Sequence, residues 1–195
     1  MFSLTIDGIN DRGQGLLAKL PLRSEHLVIR EFQLADAESL FSLQSDPRAT
    51  RYAGGTRTKE QSLESLYRII NRVRNTGFGN FAVQLLNNNK AIGWAGIQKM
   101  LGTERYELLY ALRSEYWGQG YATEVGRALL DATFSLGKTG PDKISALVFP
   151  QNIPSIRVLE KLGFEFVDYY FDDPTERHAC LYETTSARFR ARQRD

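Results

Sequence analysis

Between Tyr106 and Leu136 the spacing of apolar residues changes within a few positions. Tyr106, Leu108, Tyr110 and Leu112 alternate with Glu107, Leu109 and Ala111, the pattern of a strand. Val125, Leu129, Ala132 and Leu136 then recur at helical spacing. Between the two patterns stands Arg113-Ser114-Glu115-Tyr116-Trp117-Gly118-Gln119-Gly120-Tyr121-Ala122-Thr123-Glu124. A strand therefore passes through a glycine-bearing turn straight into a helix. Such a junction aims unpaired backbone N–H groups and the positive end of a helix dipole at one point, and that point binds phosphate. Gly118 and Gly120 let the backbone approach an anion closely. The expectation is that the junction holds the diphosphate of a cofactor.

The rest of the chain places this junction in a fold. Leu27-Val28-Ile29-Arg30 reads as a first strand, followed by a short helix from about Asp36 to Gln44 that stops before Asp46-Pro47. Thr58 and Gln61 have the spacing of a capping box, and Leu63, Leu66, Ile70 and Val73 continue a helix that ends at Asn75-Thr76-Gly77. Phe81, Val83 and Leu85 form a strand, Asn87-Asn88-Asn89 a turn, and Ala91 to Ile97 the next strand. With Tyr106–Leu112 these make an antiparallel meander. The helix after the glycines is a long crossover, so Ile144 to Phe149 should run parallel to Tyr106–Leu112. Asn152 caps a further helix carrying Ile156, Leu159 and Leu162, closed by Gly163. Phe164–Phe171 and Arg177–Glu183 form a hairpin around Asp172-Asp173-Pro174. The expected architecture is α/β, a mixed sheet of about six or seven strands flanked by about four helices. The antiparallel-to-parallel change falls beside the glycine junction, and ligands prefer such switch points. Trp94, Phe81, Phe164 and Phe166 read as core.

Composition removes several classes of function. The chain has 195 residues, 42% hydrophobic and 25% charged, with a net charge of +2, which argues against nucleic acid as a partner. Arg188, Arg190, Arg192 and Arg194 form a short basic run, read either as a solvated terminus or as a contact to an acidic partner. The single cysteine, Cys180, excludes an internal disulfide, fits a cytoplasmic protein and reads as a small buried hydrophobe. Two histidines, His26 and His178, and no Cys/His cluster argue against a zinc site. No apolar stretch reaches membrane-spanning length, and no signal-peptide pattern opens the chain. Residues 1–24 read as an N-terminal extension partly ordered on the body, 25–185 as the domain and 186–195 as a basic C-terminal tail.

Three segments together resemble the GNAT N-acetyltransferase superfamily, and in particular its branch of ribosomal-protein N-terminal acetyltransferases. They are Leu27-Val28-Ile29-Arg30-Glu31-Phe32, Tyr116 to Glu124, and Asn152 to Phe164. Gly120 and Ala122 fill the small positions of the superfamily's glycine motif, and Trp117 replaces its Gln/Arg, as is usual in that branch. A dinucleotide fingerprint is excluded, because Thr123 stands where a third glycine belongs, and no Walker Gly-Lys-Ser/Thr is present.

The resemblance implies acetyl-CoA as donor, with no metal, and an amine acceptor, either a protein N-terminus or a small molecule. The diphosphate would lie on the N–H groups of Gly118, Gln119, Gly120, Tyr121 and Ala122, with Trp117 and Thr123 flanking. The pantetheine arm would run along Tyr110, Ala111 and Leu112, with Asn152 and Ser155 opposite. Glu107 is the candidate base, since a partly buried carboxylate has a raised pKa that suits proton abstraction near neutral pH. The alternative roles are pairing with Arg105 or Arg113, or orienting substrate. The tyrosine that superfamily members carry on the last helix is replaced by Leu159 here. Ser155 and Tyr110 are the remaining candidates to protonate the leaving thiolate, although alternation sets Tyr110 opposite Glu107 unless the strand is bulged. Arg51 and Tyr52, between the first two helices, are candidate acceptor contacts. A longer acyl donor such as succinyl-CoA, a catalytically silent acyl-CoA-binding module, and a homodimer remain open.

Overall fold

The computed structural model describes residues 15–87, 91–172 and 177–193. The turn centred on Asn88 and the tip of the last hairpin lie outside them. Eight strands form one mixed sheet: β1 (Leu22–Arg23), β2 (Leu27–Arg30), β3 (Gly79–Leu85), β4 (Ala91–Lys99), β5 (Tyr106–Leu112), β6 (Lys143–Val148), β7 (Glu165–Asp172) and β8 (Arg177–Thr185). Their order is β1-β2-β3-β4-β5-β6-β8-β7. Every neighbouring pair is antiparallel except β5–β6. Five helices accompany the sheet: α1 (Ala37–Gln44), α2 (Lys59–Thr76), α3 (Tyr121–Phe134), α4 (Ile153–Lys161) and α5 (Ser186–Arg192). The meander and the parallel crossover stand as the sequence implied.

Local chemistry sets the helix ends. Thr58 Oγ1 accepts from the Gln61 N–H while the Gln61 side chain accepts from the Thr58 N–H, a complete capping box at the start of α2. Asn152 Oδ1 accepts from the Ser155 N–H at 3.4 Å, starting α4. Thr185 does the same for α5 through the Arg188 N–H.

The larger core lies on one face of the sheet. There α3 buries Val125, Leu129 and Leu130, α4 buries Leu159 with Leu162 just past its end, and α5 buries Phe189, against Leu27, Phe81, Ile97, Leu108 and Ile144. Each such side chain stabilises the fold by roughly 1.5–3 kcal/mol. A Cβ added at Gly126 of α3 would lie 2.5 Å from Leu162 Cδ1, so the absence of a side chain lets α3 and α4 meet closely. The opposite face carries α1 and α2 over a smaller cluster of Phe32, Leu40, Leu66 and Ala82, with Trp94 against it.

Four features differ from the sequence reading. Gly15–Lys19 forms a 3-10 turn that buries Leu16 completely, and Leu22–Arg23 adds an eighth strand, so the described part of the expected extension, residues 15–24, belongs to the body. The expected basic tail is, over Ser186–Arg192, a fifth helix anchored by Phe189. Arg188, Arg190 and Arg192 are exposed, and Arg188 pairs with Glu165 at 2.8 Å. Leu63 is 41% exposed, at the outer side of α2. Phe166 is 47% exposed rather than core, because β7 is the last strand and has a neighbour on one side only.

Candidate functional site

β5 and β6 pair only at Tyr106↔Ile144 and Glu107↔Ser145. Beyond those residues the two strands diverge. β6 continues in register with β8 through Val148, and β5 remains paired to β4 through Leu112. A wedge therefore opens between two parallel strands, with the β5 edge from Leu108 to Leu112 along one side. An extended ligand laid in that wedge would meet main-chain donors and acceptors.

The glycine loop stands at the wide end of the wedge. After β5, a 3-10 turn (Ser114–Tyr116) leads to Trp117, whose indole N–H donates to the Leu112 carbonyl at 2.7 Å. This bond ties the loop to the end of the strand. Gly118 has φ 76° and Gly120 φ 85°, left-handed conformations that glycine adopts without steric cost. No atom lies within 4 Å of a Cβ built at either position. Among the described residues, the N–H groups of Gly118, Gln119, Gly120, Tyr121 and Ala122 form no backbone hydrogen bond, whereas Thr123 and Glu124 donate to the Gly120 carbonyl. Gly120 caps α3 without a side-chain acceptor. The result is a ring of free donors at a helix N-terminus with open space above it.

The first turn of α3 is fastened to the sheet. Glu124 Oε1 accepts from Ser24 Oγ at 2.6 Å and from the His26 N–H at 2.8 Å, and Oε2 lies 3.0 Å from His26 Nδ1. Burial pushes the Glu124 carboxyl up, and the hydrogen bonds from Ser24 and His26 outweigh it, holding the group below the ordinary carboxylate value. An open groove of about 800 Å³ begins at Gly120 and Thr123 and runs along α3, with Lys19 and Leu22 to Glu25 as its other wall, past Arg127 to Lys161. It meets the wedge only at the loop.

Tyr110 and Ser155 meet across the wedge, Tyr110 Oη donating to the Ser155 carbonyl at 3.5 Å. Burial pushes the Tyr110 hydroxyl up to about 12, with the Ser155 contact acting against it, so the group is protonated over the whole neutral range. Glu107 stands apart from this pair. β5 keeps unbroken register with β4 from Tyr106 to Leu112, so Glu107 and Tyr110 point to opposite faces. The one irregularity of the meander falls at Val83/Gln84, between β3 and β4.

On the α1–α2 face, Gln98 sits directly across from Glu107 and donates from Nε2 to Glu107 Oε1 at 3.1 Å. Arg72 of α2 donates to Gln98 Oε1 at 2.6 Å. The guanidinium thus fixes which way the Gln98 amide points, and the amide presents its donor to the carboxylate. Next along the same row are Ser145 of β6 and the buried Glu183 of β8. Glu183 is compensated by Lys143 at 2.8 Å, Ser145 at 3.2 Å and Arg105 at 3.4 Å, as a buried charge requires. Arg113 pairs with Glu115 at 2.7 Å.

The α1–α2 loop spans the mouth of the wedge. Asp46 accepts from Ser114 Oγ at 2.8 Å, and Tyr52 Oη donates to the Gln151 carbonyl at 3.3 Å with its ring 6.0 Å from Phe149. Arg51 lies 5.4 Å from the Tyr52 ring. Cys180 packs in the core and burial pushes its thiol up, the opposite of what a nucleophile needs. Among the described residues no group of three or more His, Cys, Asp and Glu could hold a metal, and no helix is long and apolar enough to cross a membrane. Sequence reasoning missed Glu124, Gln98 and Arg72 as parts of the site. Glu124 sits inside the motif, but its partners are about a hundred positions away; Gln98 is recognisable only once the β4–β5 register is known.

A family model described as an acetyltransferase (GNAT) domain matches residues 26–165. The chain is 32% identical over 148 residues to the uncharacterized N-acetyltransferase p20 of Bacillus licheniformis, covering 74% of this chain and 82% of that protein. It superposes with a TM-score of 0.73 on the crystal structure of a GNAT-family acetyltransferase from Bacillus anthracis, at 29% identity, covering 84% of this chain and 97% of the other. At 20% identity, Mycobacterium smegmatis RimJ in complex with CoA-disulfide shares the fold, with a TM-score of 0.68 over 85% of this chain and 87% of that one.

Proposed function

The chain belongs to the GNAT acetyltransferase family, and on that premise we propose that it moves an acetyl group from acetyl-CoA directly to a primary amine. The observation that carries the reading is the wedge between β5 and β6, ending in the free N–H groups of Gly118 to Ala122. A diphosphate with a long amide-bearing arm fits that shape, and a nucleotide alone leaves the wedge unused. In this reading Gly118, Gln119, Gly120, Tyr121 and Ala122 bind the diphosphate, and Trp117 holds the loop in place beside Thr123. Tyr110, Ala111 and Leu112 present main-chain groups to the arm, facing Asn152 and Ser155 of α4.

The donor supplies an activated thioester; the chain's residues handle protons and position. The acceptor must attack as a neutral amine, so a proton has to leave its ammonium form. Glu107, held by Gln98, takes that proton directly or through a water. A main-chain N–H of β5 faces the developing oxyanion. Tyr110, protonated at neutral pH, is the better placed donor to the departing thiolate, with Ser155 beside it. Arg51 and Tyr52 contact the acceptor where the α1–α2 loop crosses the mouth. We assign the chain to the ribosomal-protein N-terminal acetyltransferase branch on its opening strand and on Trp117, which makes a protein N-terminus the first acceptor to try and small amines the second.

Calorimetry with CoA is expected to give micromolar binding; an absence of binding by both CoA and acetyl-CoA would overturn the reading. Thiol release is then followed against a panel of N-terminal peptides and small amines, with acetyl-CoA and succinyl-CoA as donors. Turnover with succinyl-CoA alone would replace the donor. CoA binding without turnover on any amine would leave a silent binding module. Glu107→Gln is expected to lower kcat at neutral pH far more than it weakens CoA binding, and an unchanged pH–rate profile would remove Glu107 as base.

A further inference from the structure

At α2, two arginines converge on one uncharged oxygen. Arg57, just before the helix, and Arg68, inside it, both donate to Ser65 Oγ, the second at 3.3 Å. Arg30, Arg48, Arg105, Arg113 and Arg188 each pair with a carboxylate. Among the described residues, Arg57 and Arg68 pair with none. Two like charges drawn to one neutral acceptor repel each other, and the acceptor has no charge with which to offset them. One turn before Ser65, the Ser62 hydroxyl is buried and has no hydrogen-bond partner. An unpaired buried polar atom costs about 1–3 kcal/mol. The cluster holds more donors than acceptors.

The stripe of α2 that carries this cluster looks onto the reacting end of the wedge. Ser65, Arg68 and Arg72 follow at i, i+3 and i+7, so they share one side of the helix. Arg72 reaches Gln98, and Gln98 reaches Glu107. α1 packs on the other side, where Lys59 meets Glu38 and the Phe41 ring. Arg57 continues from the α1–α2 loop, which holds Tyr52 against Gln151 at the mouth. The arginine pair thus stands between the mouth and the candidate base. Ser65 lies seven positions before Arg72, about 10 Å along the helix axis. An extended peptide covers about 3.3 Å per residue, so a chain whose amine sits at Glu107 passes the pair with its second or third residue.

We propose that Arg57 and Arg68 bind a carboxylate carried by the acceptor, and that the acceptor is a peptide N-terminus with Asp or Glu at its second or third residue. The inference rests on the acetyl-transfer reading, which sets the amine at Glu107. A carboxylate seated between the two guanidinium forks accepts from both and offsets their repulsion. A polycationic acceptor meets like charge at the same place and is disfavoured. The α-carboxylate of a free amino acid lies too close to its own amine to span the distance.

Calorimetry on the CoA-loaded full chain, with two peptides identical except for Glu or Gln at the third residue, measures the site directly. The Glu peptide is expected to bind about 10-fold more tightly, and the gap should narrow at about 0.5 M salt. Arg57→Gln and Arg68→Gln should each remove most of that gap while CoA binds as in the wild type. A single cooperative melt reports that each variant folds, and the wild-type comparison needs no variant. Equal affinities in the wild type, no binding of either peptide, or a gap that survives both substitutions overturns the proposal. So does a loss of CoA affinity in the variants, which would assign the pair to the phosphates of the cofactor. Thiol release measured alongside tests the premise separately. Turnover of both peptides with equal affinities overturns the acidic acceptor alone. A preference for the Glu peptide without turnover on any amine supports the carboxylate site and overturns the acetyl-transfer reading alone.

Discussion

Glu124 fastens the phosphate loop to the sheet, and its removal can be worked through from the structure. The side chain is 19% exposed and receives three hydrogen bonds, from Ser24 Oγ, the His26 N–H and His26 Nδ1. Hydrogen bonds to a charged acceptor contribute about 1.5–3 kcal/mol when each is removed singly. Here the three share one carboxylate and their donors lie near the surface, so Glu124→Ala leaves those donors able to find water. A loss of about 2–3 kcal/mol in all is expected. At about 2–4 °C per kcal/mol for a chain of this size, Tm should fall by roughly 5–10 °C. Glu124→Gln keeps one acceptor oxygen for the Ser24 hydroxyl and the His26 N–H, and should lose about half as much.

The same residue gives a pH signature. Its carboxyl is held below the ordinary value in the folded protein, so it adds stability above the unfolded-state pKa of about 4.3, and that stability is lost as pH falls through the folded value. The gap between wild type and Glu124→Ala should be full near neutral pH and should close below about pH 4. Thermal melts at both pH values measure the gap, and calorimetry with CoA measures the functional consequence. With the first turn of α3 unfastened, CoA affinity should fall about 5- to 10-fold, or about 1 kcal/mol. A Tm within about 1 °C of wild type near neutral pH, or a gap undiminished in acid, would refute the argument that the carboxylate holds the turn.

Three further outcomes follow from the site. Gly120→Ala places a Cβ on a backbone at φ 85°, which should cost about 1–2 kcal/mol of stability; because the Cβ also enters the space above the loop, CoA binding measured by calorimetry should suffer more than Tm does. Gln98→Ala should lower kcat about 10-fold, about 1.4 kcal/mol, with little change in Tm. Gln98→Glu sets a second carboxylate opposite Glu107 and should lower kcat further, whereas equal rates for both variants would mean that Gln98 does not position Glu107. Tyr110→Phe should reduce kcat without changing KM for the acyl donor. Since the wild-type hydroxyl is raised to about 12, the stability contributed by neutral Tyr110 is present below pH 10 and is lost as pH rises toward that value, which alkaline melts of the two proteins would show.

The elements that sequence reasoning located best are those whose signals are local. The capping box at Thr58 and Gln61, the turn at Gly77, the cap at Asn152 and the period change at Gly118–Gly120 each depend on residues within a few positions of one another. The parallel relation of β5 and β6 was also legible, because a single helix between two strands ordinarily carries the chain back to the end of the sheet where the first strand began. Elements with weak local signals were missed. β1 is two residues long and is recognised only by its pairing with Val28 and Ile29. α5 looked like a charged terminus, because its arginines outnumber the one residue, Phe189, that anchors it.

The division within the site has the same cause. The chain's own order of residues determined that a strand enters a glycine turn and leaves as a helix, and hence that an anion-binding point exists at Gly118 to Ala122. Only the tertiary structure decided how far β5 and β6 stay paired, which is what opens the wedge. It also decided that Gln98 and Arg72 stand behind Glu107, that Glu124 reaches Ser24 and His26, and that Phe166 of β7 faces water. Those facts depend on strand register and on contacts between residues far apart in the chain. A strand's alternation fixes which side chains share a face; it carries no information about which residue of the neighbouring strand will stand opposite.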